Sequence, residues 1–422
     1  MEVTEVLNKV EKALEKDLCD HCLGRLFAQL GHGVTNIERG KSIRIASAML
    51  DPEEEKKEVP GEGESCELCK NLFDELDKFA ELSSEELKPF EFEDFLIGSR
   101  IDPEIEEKEE ALWTELNLTT AEPIKSEINR EVGKRVQEKI EKEVDLKDPD
   151  IKAIVDTRFD AVEIEISPLF IYGRYKKLER GIPQTRWVCK RCRGKGCEKC
   201  NGTGKLYETS VEEIIGTPLK EMTSGEDFTL HGMGREDIDA KMLGNGRPFV
   251  MEVTDPKKRD IDLERFRERV AEDERVNVRS LEPTKKEKVQ EIKQAKADKT
   301  YEVTIRLEET IGRTKFKKVL DELSGVKISQ RTPVRVSHRR SDRIRKRRIK
   351  GLELKTVDNH AAVLEMTCEA GTYVKEFIHG DEGRTKPNLS EELGTRCEVK
   401  KLDVTYIHYP EGCDKDEEIE RD

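Results

Sequence analysis

Near the start of the chain, Leu7, Val10, Leu14 and Leu18 recur at helical spacing, which predicts an amphipathic helix leading into the pair Cys19/Cys22. An acidic, Pro- and Gly-containing loop, DPEEEKKEVPGEGESC, comes next, and the following LFDELDKFAELSSEELKPF reads as a second helix. From about 91 to 168, EFEDFLIGSRID and AVEIEISPLFIYG alternate as strands, with the helical KSEINREVGKRVQEKIEKEV between them. This suits a small α/β accessory domain. Beyond a cysteine-rich knuckle, WVCKRCRGKGCEKCNGTGKLY at 187–207, the pattern changes. MLGNGRPFVMEVTD, VNVRSLEP, TYEVTIRLEE, HAAVLEMTCEAGTYV and VKKLDVTYIHY are strand-like, and charged helical runs such as DLERFRERVAEDER and EPTKKEKVQEIKQAKADK separate several of them. Strands joined both by helices and by tight turns predict an α+β domain on a mixed or antiparallel sheet, not a doubly wound parallel one. The expected organisation is therefore an N-terminal domain over 1–168, a second domain over 169–410 and an acidic tail over 411–422.

Charge changes this picture by its distribution. The 422 residues carry 77 Lys+Arg against 92 Asp+Glu, a net of −15, which by itself argues against a polyanionic partner. Residues 51–110 hold 23 acidic and 7 basic residues, so the rest of the chain is about neutral, and within that rest 311–350 holds 15 basic and 3 acidic residues, including HRRSDRIRKRRIK. A local field of that sign attracts phosphates and releases their counterions, whereas its plain alternative is a solvated basic loop. The start, MEVTEVLNKVEKALEKDL, lacks the basic-then-apolar order of a signal peptide and no run is long enough to span a bilayer, so a cytoplasmic protein is expected.

Eight of the eleven cysteines fall in Cys-x-x-Cys pairs. Each such turn aims two thiolates at one point, so Cys19/Cys22 with Cys66/Cys69 predict a closed, structural four-sulfur zinc site. Cys189/Cys192 and Cys197/Cys200 leave only four residues between pairs, and Gly194 and Gly196 would permit the reversal. A second zinc or a metal-free surface knuckle both fit that spacing.

The most specific segment is HGMGREDIDAKMLGNGRPFVMEV at 231–253. Gly234-Arg235-Glu236-Asp237 puts a carboxylate just beyond a Gly/Arg turn, and Gly244 and Gly246 are read as flanking a second turn before an apolar strand. Taken alone, such an Asp more often caps a helix or binds its own backbone. Together with AGTYVKEFIHGDEGRT at 370–385, LFIYGRYKKLERGIPQTRW at 169–187, the cysteine pairs and SVEEIIG at 210–216, however, the string resembles the THUMP-domain-containing tRNA pseudouridine synthases of the archaeal and eukaryotic type. The resemblance covers nearly the whole chain.

It implies a pseudouridine-synthase catalytic domain behind a zinc-stabilised THUMP-type RNA-binding module, acting on adjacent uridines of the tRNA TΨC arm, positions 54 and 55 in tRNA numbering. It makes Asp237 the catalytic aspartate, Tyr301 the aromatic residue stacked on the target uracil and Tyr373 a second substrate contact. It makes Lys375 the basic partner of the aspartate, Leu402 the apolar residue under the base, and the arginines of the basic run, Arg339, Arg340, Arg343, Arg345 and Arg347, an RNA-gripping insertion. The residue types suit isomerisation, in which the N1–C1′ bond breaks, uracil rotates and C5 rejoins the sugar. One carboxylate can act as nucleophile or as base, a nearby cation favours its charged form, and stacking holds a detached base for ~1–3 kcal/mol. The uridine must be extruded from its stack, and no organic cofactor is required. Plain readings stand beside these: Tyr301 shares a strand face with Val303, Ile305 and Leu307, Tyr373 would merely begin a helix, and Lys375 would be solvated. Two other functions fit parts of the chain, a THUMP-linked methyltransferase, for which LGNGRP is a poor glycine-rich loop, and a non-enzymatic zinc-stabilised tRNA-binding protein.

Overall fold

The computed structural model describes residues 3–50, 65–337 and 340–409. It divides into two compact units, Met1–Ser167 with Lys257–Arg259, and Pro168–Pro256 with Asp260–Asp422. The tail from 411 onwards, Cys413, most of the acidic loop before Cys66, and Arg339 lie outside the described residues.

In the first unit the predicted N-terminal helix is α1 (Val3–Leu14), after which Cys19 caps the short α2 (Asp20–Arg25), its Sγ accepting from the Cys22 N–H. Next come α3 (Asn36–Leu50), α4 (Leu76–Leu87), β1 (Asp94–Arg100), α5 (Pro103–Glu115), α6 (Ile124–Ile140), β2 (Glu143–Val144), β3 (Ile151–Asp156) and β4 (Ala161–Ile166). The strands form a four-stranded sheet in the order β2-β1-β3-β4, parallel except for the β3/β4 pair. Side chains alternate between buried and partly exposed along β1 and β3 because successive residues of a strand point to opposite faces. The buried set, Phe95, Ile97, Ile151, Ala153 and Val155, joins one core with Ile128, Val132 and Val136 of α6 and Phe79 of α4.

The second unit starts at β5 (Leu169–Lys177) and continues through α7 (Val211–Thr223), β6 (Asp227–Gly232), β7 (Lys241–Thr254), α8 (Leu263–Ala271), β8 (Val276–Thr284), α9 (Lys286–Gln294), β9 (Asp298–Leu307) and α10 (Arg313–Leu323). It ends with β10 (Lys327–Arg331), β11 (Ile344–Asp358), β12 (Ala361–Cys368), α11 (Val374–His379), β13 (Thr385–Lys386), α12 (Leu389–Leu393) and β14 (Cys397–His408). The strands make one ten-stranded sheet, β13-β10-β11-β12-β9-β14-β7-β5-β8 with β6 alongside β7. Every pairing is antiparallel except β14 with β7, where Asp403 and Val404 face Lys241 and Met242. The mixed sheet of an α+β domain is thus as expected. Two apolar clusters back it, one around β5–β8 and one around β9–β12, and Tyr301 packs against both.

Three local expectations change. AVEIEISPLFIYG is not one strand: it breaks at Ser167-Pro168, because the proline lacks an N–H, and its halves enter different sheets as β4 and β5. The glycines of LGNGRP flank no turn but lie within β7. Gly244, at φ +55°, lies so close to β14 that a Cβ would sit 1.6 Å from the Thr405 carbonyl oxygen, and the Asn245 side chain donates to Ile407 O (2.9 Å) and accepts from Ile407 N (3.0 Å). The string therefore splices the two halves of the sheet. Finally, the basic run is only partly a loop, since Ile344 onward is the long strand β11, with Arg345 opposite Gln330 and Arg347 opposite Ile328.

Candidate active site

The loop Met233–Ala240 joins β6 to β7 beside the parallel seam, and its backbone is held from several directions. Gly234 takes φ +77°, a left-handed conformation that suits glycine. Arg247 Nη1 donates to Met233 O (2.7 Å), Gln184 Nε2 to Gly234 O (3.0 Å), Gly181 N to Ile238 O (2.9 Å) and Arg180 Nη1 to Asp239 O (2.8 Å). The buried Lys177 ammonium donates to Asp237 O (3.3 Å), Ile238 O (3.2 Å) and Ile182 O (2.9 Å). Burial lowers the Lys177 pKa. Beneath the loop, Glu236 is buried in a polar network: Arg247 Nε lies 2.8 Å from its carboxylate, and Tyr175 Oη donates to it while accepting from Gln184. Paired and hydrogen-bonded, such buried charges are tolerated and rigidify what they hold. All but one of the residues lacing the loop come from the 169–187 string, which thereby gains a physical role as its scaffold.

Asp237 is half-exposed and faces two cations. Lys375 Nζ and Arg335 Nη1 each lie 3.4 Å from its Oδ2. Lys375 also binds Asp239 (2.8 Å), whose carboxyl stays below the usual range: partial burial pushes it up, but the bond and charge of Lys375 outweigh this. Arg335 is anchored from behind, its Nε donating to the buried Glu376 at 2.6 Å. Asp237, Asp239, Lys375 and Arg335, with Trp187, Arg235, Pro183 and Gln184, line a cleft of about 250 Å³.

The other described residues singled out in the sequence lie on β9 and β14, at the start of α11, and on or just before β11. Tyr301 lies mid-strand in β9 opposite Met366 and Val404; burial raises its phenol pKa, and the charge of Asp237 acts in the same direction. Tyr373 does precede α11, as the plain reading had it, with its backbone clasped by the Gln330 amide and its hydroxyl 3.2 Å from Arg340. Leu402 is buried in the β9–β12 cluster opposite Val303. None of Tyr301, Tyr373 and Leu402 is among the residues lining the small cleft. Arg345 and Arg347 are half-buried on the β11 face of Ile349, where Arg345 donates to Thr332 Oγ1 and Arg347 lies against Gly371; Arg343 is exposed at the strand's start. Arg335, Glu376, Asp239, Lys177 and Trp187 were not picked out in the sequence. Arg335 sits at the edge of the basic run and Glu376 directly follows Lys375, but only folding brings Arg335 to the carboxylate and Glu376 behind Arg335.

Both cysteine sets fit a four-sulfur metal site. In each, one sulfur per residue lies within 4.8 Å of the others. The sulfur separations are 3.7 Å for Cys19–Cys69, 3.9 Å for Cys189–Cys197, 3.8 Å for Cys192–Cys200 and 3.6 Å for Cys197–Cys200. Four ligands at about 2.3 Å around tetrahedral zinc stand about 3.8 Å apart, whereas a disulfide needs about 2.05 Å. The first set is embedded in the core of its unit; the second lies outside the apolar clusters.

Comparison with known proteins follows the same lines. The family model described as "Pus10, C-terminal" matches residues 170–408, and that described as "Pus10 THUMP domain, archaeal" matches 79–156. A protein of Methanothrix thermoacetophila named tRNA pseudouridine synthase Pus10 is 42% identical over 92% of this chain and 91% of its own length. The protein of the same name from Methanopyrus kandleri is 41% identical over 94% of this chain and 98% of its own. Among solved structures, a Cbf5-Nop10-Gar1 complex aligns with 56% of this chain and 48% of its own at 17% identity and a TM-score of 0.32, too distant a likeness to bear on the site. With one family model spanning more than half its length and relatives matched almost end to end, the chain belongs to the Pus10 family of tRNA pseudouridine synthases.

Proposed function

We propose that this protein isomerises uridine to pseudouridine in the TΨC arm of tRNA, at positions 54 and 55, with Asp237 as the catalytic aspartate. The observation that carries the reading is the carboxylate of Asp237, presented on a rigidly held loop between Lys375 and Arg335 in a cleft of base-sized dimensions. Lys375 and Arg335 would flank that carboxylate as it attacks the sugar or removes the proton at C2′. Tyr301 would take the detached uracil on its ring and Leu402 would pack beneath it, while Tyr373 would contact the substrate from the start of α11. Arg340, Arg343, Arg345 and Arg347, with Arg339, would bind phosphates without reading sequence. Zinc held by Cys19, Cys22, Cys66 and Cys69, and a second ion held by Cys189, Cys192, Cys197 and Cys200, would act structurally, because four thiolates leave no ligand position for water or substrate. The THUMP-type unit would help dock the tRNA. No helix among the described residues is long and apolar enough to cross a membrane, which is compatible with work on tRNA in the cytoplasm.

A methyltransferase is disfavoured, since LGNGRP lies inside β7 in place of a strand-to-helix phosphate loop, and the surrounding sheet is almost wholly antiparallel. The test is to incubate purified protein with unmodified tRNA transcript, adding no cofactor, and to map pseudouridine by carbodiimide modification. Signals at both uridines, with tritium released from 5-labelled uridine, are expected; a strict need for a methyl donor, or no conversion, would refute the proposal.

A further inference from the structure

The knuckle at 187–207 carries four cysteines, and its root at Trp187 reaches the cleft. Trp187 and Leu206 are joined through the Leu206 N–H to Trp187 O bond (2.9 Å), and Cys189 N donates to Gly204 O (2.7 Å), so the cysteine turns grow from a two-stranded stem. Trp187 is half-buried at the base of that stem, edge-on to Tyr207 with ring centroids 5.5 Å apart. The Arg235 guanidinium, from the same Gly-Arg-Glu-Asp turn as Asp237, lies 5.9 Å from the Trp187 ring centroid. The indole lines the cleft that also contains Asp237, Arg335 and Lys375. Val188 and Leu206 on the stem are about half exposed.

The knuckle's charge is one-sided. It carries six basic residues and one acidic residue. Lys205 is paired with Glu213, but Lys190, Arg191, Arg193, Lys195 and Lys199 are exposed and have no ion-pair partner among the described residues. A rigid aromatic face beside a basic tract is the combination that binds unstacked nucleotides, the ring taking a base and the cations its phosphates. The cleft, at about 250 Å³, lies below the ~300–1,000 Å³ of drug-sized ligand sites, so it has room for the reacting base but leaves a neighbouring base to find its own support. Extruding one uridine unstacks that neighbour, which then needs a new partner.

We infer that Trp187 is a stacking platform for a nucleobase flanking the reacting uridine, and that the knuckle's basic side chains hold the phosphates leading to it. The inference rests on the proposed RNA-modifying function and deepens it: the knuckle becomes an RNA-gripping element of the catalytic unit, and Arg235 steadies the platform from the catalytic loop.

The chain has two tryptophans, so Trp113→Phe in the full-length protein leaves Trp187 as the sole reporter. Titration with unmodified tRNA transcript should quench Trp187 emission in step with binding measured independently by anisotropy. Making each nucleotide flanking the target uridine abasic in turn should identify one whose loss abolishes the quench. Trp187→Ala should lower kcat/KM about 5- to 160-fold, the change that ~1–3 kcal/mol of base stacking produces, and Trp187→Tyr should restore most of it. Absence of quenching at saturating RNA, a quench lost only when the target uridine itself is abasic, or wild-type kcat/KM in Trp187→Ala would overturn the inference. Repeating the titration with Asp237→Ala separates the two proposals: quenching reports the platform whether or not isomerisation occurs.

Discussion

Single residues decide how the Asp237 carboxylate is held and what stands near it. Lys177 donates to the Asp237 and Ile238 carbonyls of the Met233–Ala240 loop and to Ile182 O beside it. Lys177→Met removes those donors while preserving much of the volume, so the expected result is a fall in kcat of about 10²-fold, the cost of small displacements of reacting groups, with tRNA affinity little changed. Steady-state kinetics read both; an unchanged kcat would show that the loop keeps its place without the lysine. Lys299, two residues before Tyr301, is lowered from its ordinary 10.5 to about 8, chiefly by burial. Between about pH 8 and 10.5 the unfolded chain then binds a proton that the folded chain does not, so this residue's contribution to stability rises across that window and is lost again as pH falls through 8. Denaturant midpoints measured at about pH 7 and about pH 10 should show that rise, and Lys299→Met should flatten it; identical slopes in both proteins would contradict the assignment.

Among the elements, β7 and β14 carry the splice that brings Asp237 to the seam between the two halves of the sheet. Gly244→Ala forces a methyl into the Thr405 carbonyl at a positive φ, and the expected cost of about 3 kcal/mol should lower Tm by roughly 6–12 °C in a unit of this size. A thermal melt within a degree or two of wild type would contradict that reading of the motif. The cysteine sets should differ in kind. Cys66→Ser opens a site embedded in the core of the first unit and should unfold that unit or strongly lower its melting temperature, whereas Cys200→Ser should leave the catalytic sheet folded and chiefly weaken RNA binding; differential scanning calorimetry with anisotropy distinguishes the two. The same elements show what could be read without coordinates. Helices and strands with clean periodicity, such as α1, α6, β9 and β12, and the cysteine pairs were legible because spacing alone fixes which side chains share a face. β11 was obscured because charges fill both of its faces where it pairs with β10, so no apolar alternation marks it. LGNGRP was mistaken for a turn because glycines that permit close strand approach look the same as glycines that reverse a chain.

In the whole molecule, function depends on contacts no local pattern encodes. Arg335 and Asp237 are 98 residues apart and Lys375 is farther still, yet all three line one cleft because the sheet brings the β6–β7 loop, the segment after β10 and the start of α11 together. The family resemblance supplied Asp237 and Lys375 in advance; Arg335, its anchor Glu376 and the Trp187 wall required the fold. The most direct test of the central claim is pseudouridine formation by Asp237→Asn, a substitution that keeps the side-chain size and the Lys177 contacts to the backbone, scored on unmodified tRNA alongside its affinity. Conversion at both uridines should disappear while tRNA binding stays within a few-fold of wild type. Conversion by Asp237→Asn at a rate near that of the unaltered protein would contradict it.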